Sequence, residues 1–125
     1  MPRRRRKKSE KQLLEDYLKE SLDNKNIFNF HGNPQGLKGF PDRVIFASKI
    51  YFVELKLGKE NDSYYKQTQM QKKWELQINQ TNNKYFLINT RNEIDELVEL
   101  IYQECLKYEI KNHFAYNKEI TRDEK

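Results

Sequence analysis

Gly39–Lys56 reads G-F-P-D-R-V-I-F-A-S-K-I-Y-F-V-E-L-K, and its patterning sets the fold. Arg43 to Phe46 and Ile50 to Leu57 are two apolar runs of strand character, separated by Ala47, Ser48 and Lys49. They predict a β-hairpin. Side chains alternate across a strand, so Phe52, Glu54 and Lys56 share one face, while Tyr51, Val53 and Leu55 share the other. Asp42 stands at the entrance to the first run. A two-residue turn at Ser48–Lys49 puts Asp42 on the face opposite Glu54. A three-residue loop, Ala47 to Lys49, puts it directly across from Glu54. If the two acids act together, the loop holds an odd number of residues or a strand bulges.

Charge inside an apolar strand is costly unless it is paired or metal-bound. A structural salt bridge at a strand end would account for a lone E-x-K. Here a preceding P-D, the order and the spacing favour a site. A hard divalent cation takes oxygen ligands, and two carboxylates plus waters satisfy it. The bound metal acidifies water and offsets charge on phosphate oxygens. Asp42 and Glu54 are therefore the expected metal ligands. Lys56 is the expected residue that orients or deprotonates the attacking water.

Upstream, Gly32 to Gly39 is a loop, with three glycines and a proline. Gln35 and Lys38 in it are candidates for phosphate contact, beside the plainer reading of a flexible solvated loop. Residues 27–31 (I-F-N-F-H) alternate as a short strand. Before them, Ser9 is a plausible N-cap for a helix over 10–23, with Leu13, Leu14, Tyr17, Leu18 and Leu22 as its apolar stripe. At about 100° per residue, Glu10 lies within roughly 30° of the stripe's centre, while Glu15 and Glu20 lie more than about 100° away. Glu10 is the acid expected to look inward and to complete the metal shell directly or indirectly.

Downstream, residues 58–65 form a polar loop, and a helix spans about 66–80 with Met70, Trp74 and Ile78 on its buried face. Gln67 and Gln71 lie on or beside that face. Lys84 to Ile88 is a short buried strand. Thr90 and Glu93 have capping-box spacing. They open a last helix whose stripe is Ile94, Leu97, Val98, Ile101, Cys105 and Tyr108. Cys105 is read as a packing residue. The element order is α-β-β-β-α-β-α: an α/β chain with a central mixed sheet of about four strands flanked by helices.

The 125 residues fit one domain, assigned to 9–112, with a basic arm at 1–8 and a charged tail at 113–125. Of 24 Lys and Arg, six lie in Arg3 to Lys8, leaving 18 against 19 acids in the rest. The net charge of +5 is thus mostly one arm, suited to a polyanion and expected to be disordered until bound. Arg3, Arg4, Arg5, Arg6, Lys7, Lys8, Lys38 and Arg43 are the candidates for nucleic-acid contact. No apolar run approaches the roughly 20 residues of a membrane span. The basic start lacks the apolar stretch of a secretory signal. One cysteine excludes an intrachain disulfide and fits a reducing compartment. With two distant histidines, His31 and His113, a zinc cluster is not expected.

Pro41-Asp42 followed by Glu54-Leu55-Lys56 resembles the PD-(D/E)xK nuclease superfamily signature. The fuller string, G-F-P-D-R, then F-V-E-L-K, then Thr68-x-x-Gln71-x-x-Trp74, is similar to the VRR-NUC family within it. The resemblance runs from about Glu10 to Ile88. It implies a restriction-endonuclease-like core and a Mg2+- or Mn2+-dependent DNA endonuclease, with no small-molecule cofactor. By position, Asp42 and Glu54 match metal-binding acids, the backbone carbonyl of Leu55 a further ligand, and Lys56 the catalytic lysine. Gln71 matches a glutamine near the site, though Gln67 and Gln69 stand close by. The first-helix glutamate corresponds to Glu10 or Glu15. Short, stand-alone family members are typically phage- or virus-encoded and resemble Holliday-junction resolvases in fold and dimeric habit. That implies branched DNA as substrate, a homodimer and action in the cytoplasm of a host cell. Off-stripe Leu100, Leu106 and Ile110 are candidates for the interface.

The alternative is a nucleic-acid-binding protein without catalysis, in which the acids are structural and the arm supplies affinity. A third reading is an interaction protein whose arm is a localisation tag.

Overall fold

Three residues turn the central hairpin. In the computed structural model, which describes residues 7–32, 37–57 and 67–108, Phe46 pairs with Ile50, leaving Ala47, Ser48 and Lys49 as the loop. The loop is pinned from several sides. Ala47 N–H donates to the Lys49 carbonyl (3.0 Å), and Ile50 N–H donates to Asn83 Oδ1 (2.9 Å). Ser48 Oγ donates to Glu104 Oε2 (2.9 Å), and the Tyr51 hydroxyl donates to the same oxygen. Burial first, then Glu104, pushes the Tyr51 hydroxyl's pKa up, while the hydrogen bond from Tyr51 holds the Glu104 carboxyl below its usual value.

The elements are α1 (Glu10–Asn24), β1 (Phe28–His31), β2 (Arg43–Phe46), β3 (Ile50–Leu55), α2 (Gln69–Asn79), β4 (Lys84–Ile88) and α3 (Arg91–Lys107). The four strands lie in chain order. β1, β2 and β3 are mutually antiparallel, and β4 runs parallel to β3. A parallel neighbour needs a crossover, and α2 supplies it. The expected order of elements and the mixed sheet are both present.

One sheet face carries the core. Ile45, Tyr51, Val53, Leu55 and Ile88 pack with Leu14, Leu18 and Leu22 of α1 and Ile94, Leu97, Val98 and Ile101 of α3. Tyr17 OH donates to Asp95 Oδ1 (2.6 Å), tying the two helices. Val44, Phe52 and Glu54 alternate onto the other face. There Phe40 sits edge-on between Phe52 and Trp74, with ring centroids 6.0 and 5.0 Å apart.

Both of the first two helices begin with a capping box. Ser9 pairs reciprocally with Gln12, and Thr68 with Gln71. At α3, Thr90 Oγ1 accepts from Glu93 N–H (3.2 Å), whereas the Glu93 carboxylate accepts from Asn89 N–H and the Thr90 hydroxyl.

Several expectations need correcting. Leu13, counted in the first stripe, is 44% exposed, and Glu10 is exposed with it. The buried face of α1 is Leu14, Leu18 and Leu22. About that narrower face, Glu10 lies roughly 80° away, Glu15 about 60° and Lys11 about 20°. Met70 and Tyr108 were also read as inward and are exposed. Both lie at helix ends, Met70 in the first turn of α2 and Tyr108 at the C-cap of α3. β3 ends at Leu55, so Lys56 and Leu57 follow the strand. The arm residues Arg3, Arg4, Arg5 and Arg6, Gln35, Ile110 and the 113–125 tail lie outside the described residues. Lys8 precedes α1 and pairs with Asp16 (2.6 Å). Among the described residues, no helix is long and apolar enough to cross a membrane.

Candidate active site

The hairpin ladder ends at Arg43–Val53, so the next pair along sets Asp42 opposite Glu54. This is the arrangement that a three-residue loop requires. Asp42 Oδ2 accepts a hydrogen bond from Leu55 N–H at 2.8 Å, fastening the acid across the strand end. Lys11 of α1 reaches the same oxygen, with Nζ at 3.3 Å.

Glu54 is 2% exposed. Its Oε1 accepts from Gln71 Nε2 (2.5 Å), while Oε2 is buried with no hydrogen-bond partner among the described residues. An ionised carboxylate oxygen left without a partner is costly. Burial, then the charge of Asp42, pushes the Glu54 carboxyl up to about 8, against the opposing pull of Lys11 and Lys56. A divalent cation would answer each of these features: it would ligate the unpartnered oxygen, neutralise the facing carboxylates and replace the proton. The donor set is two carboxylates on neighbouring strands. Among the described residues no group of three or more His, Cys, Asp and Glu converges, so a hard cation here would take its remaining oxygen ligands from backbone carbonyl or water.

Lys56 is half-buried, two residues beyond Glu54, and its N–H donates to the Ile88 carbonyl (2.9 Å). Leu55 is fully buried between them. Gln71 is the glutamine that reaches the acids. Its Oε1 accepts from Thr68 N–H (2.8 Å) in the capping box, which aims Nε2 at Glu54. Gln67 instead donates to the Tyr85 hydroxyl (3.2 Å), and Gln69 is exposed.

The segment before Asp42 docks on this helix start. Gly39 has φ +76°, and a Cβ there would lie 2.7 Å from Met70 Cβ and 2.9 Å from Gln71 N. Trp74 Nε1 donates to the Lys38 carbonyl (2.9 Å). G-F-P-D and T-x-x-Q-x-x-W are thus two halves of one contact. At Gly32, a Cβ would strike the Pro41 carbonyl oxygen at 1.9 Å, and Gly32 N–H donates to the Asp42 carbonyl (2.7 Å).

A chain described as "VRR_NUC domain" superposes with a TM-score of 0.62, at 21% sequence identity, over 74% of this chain and 97% of that one. This chain has the VRR_NUC fold. No family model matches the sequence, and no curated protein matches it.

Within this VRR_NUC fold, the expected first-helix acid is not where the helical wheel put it. Glu10 is exposed, and no hydrogen bond or ion pair joins it to the site among the described residues. Glu15 turns toward β1 and β2. Its Oε1 lies 2.8 Å from His31 Nδ1 and 3.9 Å from an Arg43 guanidinium nitrogen. Arg43, expected among the nucleic-acid contacts, is 6% exposed and lies against Asn29 and Glu15. It belongs to the interior because the strand alternation turns it away from Asp42. Burial pulls its pKa down, and the charges of Glu15 and Asp23 oppose that. Lys38 is exposed, as expected. The residue that sequence reasoning missed is Lys11. Its signal was the spacing Lys11, Leu14, Leu18, which centres the lysine on the buried stripe.

Proposed function

We propose that this chain is a Mg2+- or Mn2+-dependent deoxyribonuclease of the VRR-NUC type, hydrolysing phosphodiester bonds in branched DNA. One observation carries the reading: Glu54 Oε2, buried and without a hydrogen-bond partner among the described residues, belongs to a side chain that lies across a three-residue hairpin from Asp42. Asp42, Glu54 and the Leu55 carbonyl are the proposed metal ligands. The bound metal supplies an acidified water and charge compensation at the phosphate.

The chain's own groups do the rest. Gln71 holds Glu54 by Oε1 and leaves Oε2 for the ligand. Leu55 N–H and Lys11 hold Asp42. Lys56 orients the attacking water and stabilises charge developing on the phosphate. Glu10, exposed at the start of α1, has no part in this scheme. Glu15 acts only through Arg43 and His31.

A homodimer would set two such centres a fixed distance apart, which suits paired cuts in a four-way junction. Supporting it are exposed Leu100 and Leu106 on α3 and an exposed trio, Phe28, Phe30 and Phe46, at the β1 edge. The arm at Arg3 to Lys8 would hold the DNA backbone. The resemblance further favours a phage- or virus-encoded protein acting in the host cytoplasm.

The test is a panel of four-way junction, flap, nicked and plain duplex DNAs incubated with magnesium, manganese or chelator. Metal-dependent cutting, fastest on a branched member, supports the reading. Binding without cutting under every metal supports the non-catalytic alternative.

A further inference from the structure

The outer side of α2, beside the proposed catalytic centre, carries a notch that this centre does not use. It has a volume of about 270 Å³ and is lined by Leu37, Lys38, Met70, Lys73, Trp74 and Gln77. Its floor is apolar. Leu37 and Met70 are 43% and 42% exposed, on a chain whose mean hydropathy is −1.09. Its rim is cationic, and among the described residues no carboxylate lines it. The Trp74 ring is held from two sides, by the hydrogen bond from Nε1 to the Lys38 carbonyl and by the edge-on contact with Phe40. It is a fixed aromatic wall.

We propose that this notch receives the base of one unpaired nucleotide of the DNA substrate. The inference rests on the nuclease reading above and deepens it. An apolar floor with a fixed aromatic wall suits the π-face of a nucleobase, and flanking ammonium groups suit the phosphates on either side. A neutral peptide or a lipid chain would leave Lys38 and Lys73 uncompensated. An acidic peptide would leave the aromatic wall without a stacking partner.

The position fits the chemistry. Trp74 follows Gln71 by three residues on one helix, a rise of about 4.5 Å, and Gln71 bonds Glu54. A base in the notch therefore belongs to a nucleotide within a step or two of a phosphate at Asp42 and Glu54. A paired, stacked base cannot present its face there. Selection for branched or single-stranded DNA then follows from the need for one unstacked base near the cut, with no base-specific contact.

Trp74 is the chain's single tryptophan, so its fluorescence reports on the notch alone. The experiment titrates the full chain in chelator with oligothymidylate, with the same oligonucleotide carrying abasic sites throughout, and with a duplex of equal length. The expected result is quenching by oligothymidylate and little by the abasic strand or the duplex. Met70→Glu, at the exposed floor and outside the catalytic set, should weaken oligothymidylate binding roughly tenfold. Its circular dichroism and thermal melt should match those of the native chain. Equal quenching by the abasic strand, or unchanged affinity in Met70→Glu, would overturn the proposal. Those outcomes leave the nuclease reading intact if metal-dependent cutting persists. No binding of any DNA and no cutting would overturn both.

Discussion

The Asp42 carboxylate accepts a hydrogen bond from the backbone N–H of Leu55 at 2.8 Å. One side chain thus both closes the open end of the hairpin and faces the Glu54 carboxylate across it. The two roles separate by substitution. Asp42→Asn keeps an acceptor for Leu55 N–H but removes the charge. Asp42→Ala removes both and strands the Leu55 N–H. The expected outcome is near-native stability for Asp42→Asn and a loss of about 1–3 kcal/mol for Asp42→Ala. Denaturant titration reads this. Both variants should lose cleavage by at least about 100-fold.

Loop parity is a second test of the same geometry. Deleting Lys49 leaves two residues between Phe46 and Ile50 and, by alternation, turns Asp42 to the face opposite Glu54. Replacing Ser48 with alanine removes its hydrogen bonds to Glu104 and Tyr51 and keeps the loop length. Cleavage should fall to background in the deletion and persist in Ser48→Ala. Circular dichroism and thermal melts of both proteins check that the fold survives.

Gly39→Ala probes the joint between the two motifs. Its φ of +76° disfavours a side chain, and the added methyl would meet the start of α2 at Met70 and Gln71. A left-handed non-glycine residue costs about 1–3 kcal/mol before any clash is counted. The displaced helix start also carries Gln71 away from Glu54. Stability and metal-dependent cleavage should therefore fall together. In Gln71→Met, which keeps the length of the side chain, cleavage should fall with a smaller stability loss, near the roughly 1 kcal/mol of a helix cap.

The pH dependence follows from Glu54, whose carboxyl is pushed up to about 8 by burial and by Asp42. The folded value lies above that of the unfolded chain. Without metal, the folded state therefore holds the extra proton between them. This group's contribution to stability is full below about pH 4.5 and is lost as the pH rises through about 8. Denaturation in chelator across pH 5 to 9 should show that decline. Glu54→Gln should flatten it. Metal must displace the proton, so affinity for manganese should rise with pH up to about 8 and then level off.

Lys11, which holds Asp42 in the metal-free chain, would compete by simple charge with a metal bound there. Lys11→Met removes that ammonium, 3.3 Å from Oδ2. Apparent affinity for divalent cations, read by calorimetry, should increase several-fold as a roughly order-of-magnitude expectation for one near charge. An unchanged or lower affinity would show that the lysine does not face the metal.

Much of this was legible in the chain. The hairpin and the capping residues Ser9 and Thr90 follow from local patterns with short reach. The Asp42–Glu54 pairing is conditional on loop length until the register shows three residues in the turn, and the Thr68 cap emerges only from the structure. The first helix was misread because Leu13 counted as buried, and one extra leucine moves the centre of a narrow stripe far enough to exchange Lys11 for Glu10. Arg43 was misread for a different reason. Sequence shows that it alternates against Asp42 but not that Glu15 and Asn29, from α1 and β1, receive it below the surface. The three nearby glutamines separate only once the capping box fixes Gln71 at the third position of α2.

The central claim is that Asp42 and Glu54 form a metal centre for phosphodiester hydrolysis, served by Lys56. The most direct measurement follows cleavage of a four-way junction by the native chain, Glu54→Gln and Lys56→Ala, with manganese and with chelator, and measures DNA binding in parallel. The account predicts cutting by the native chain only with metal, a loss of at least about 100-fold in each variant, and retained DNA binding in both. Cutting in chelator, or undiminished cutting by Glu54→Gln, would contradict it.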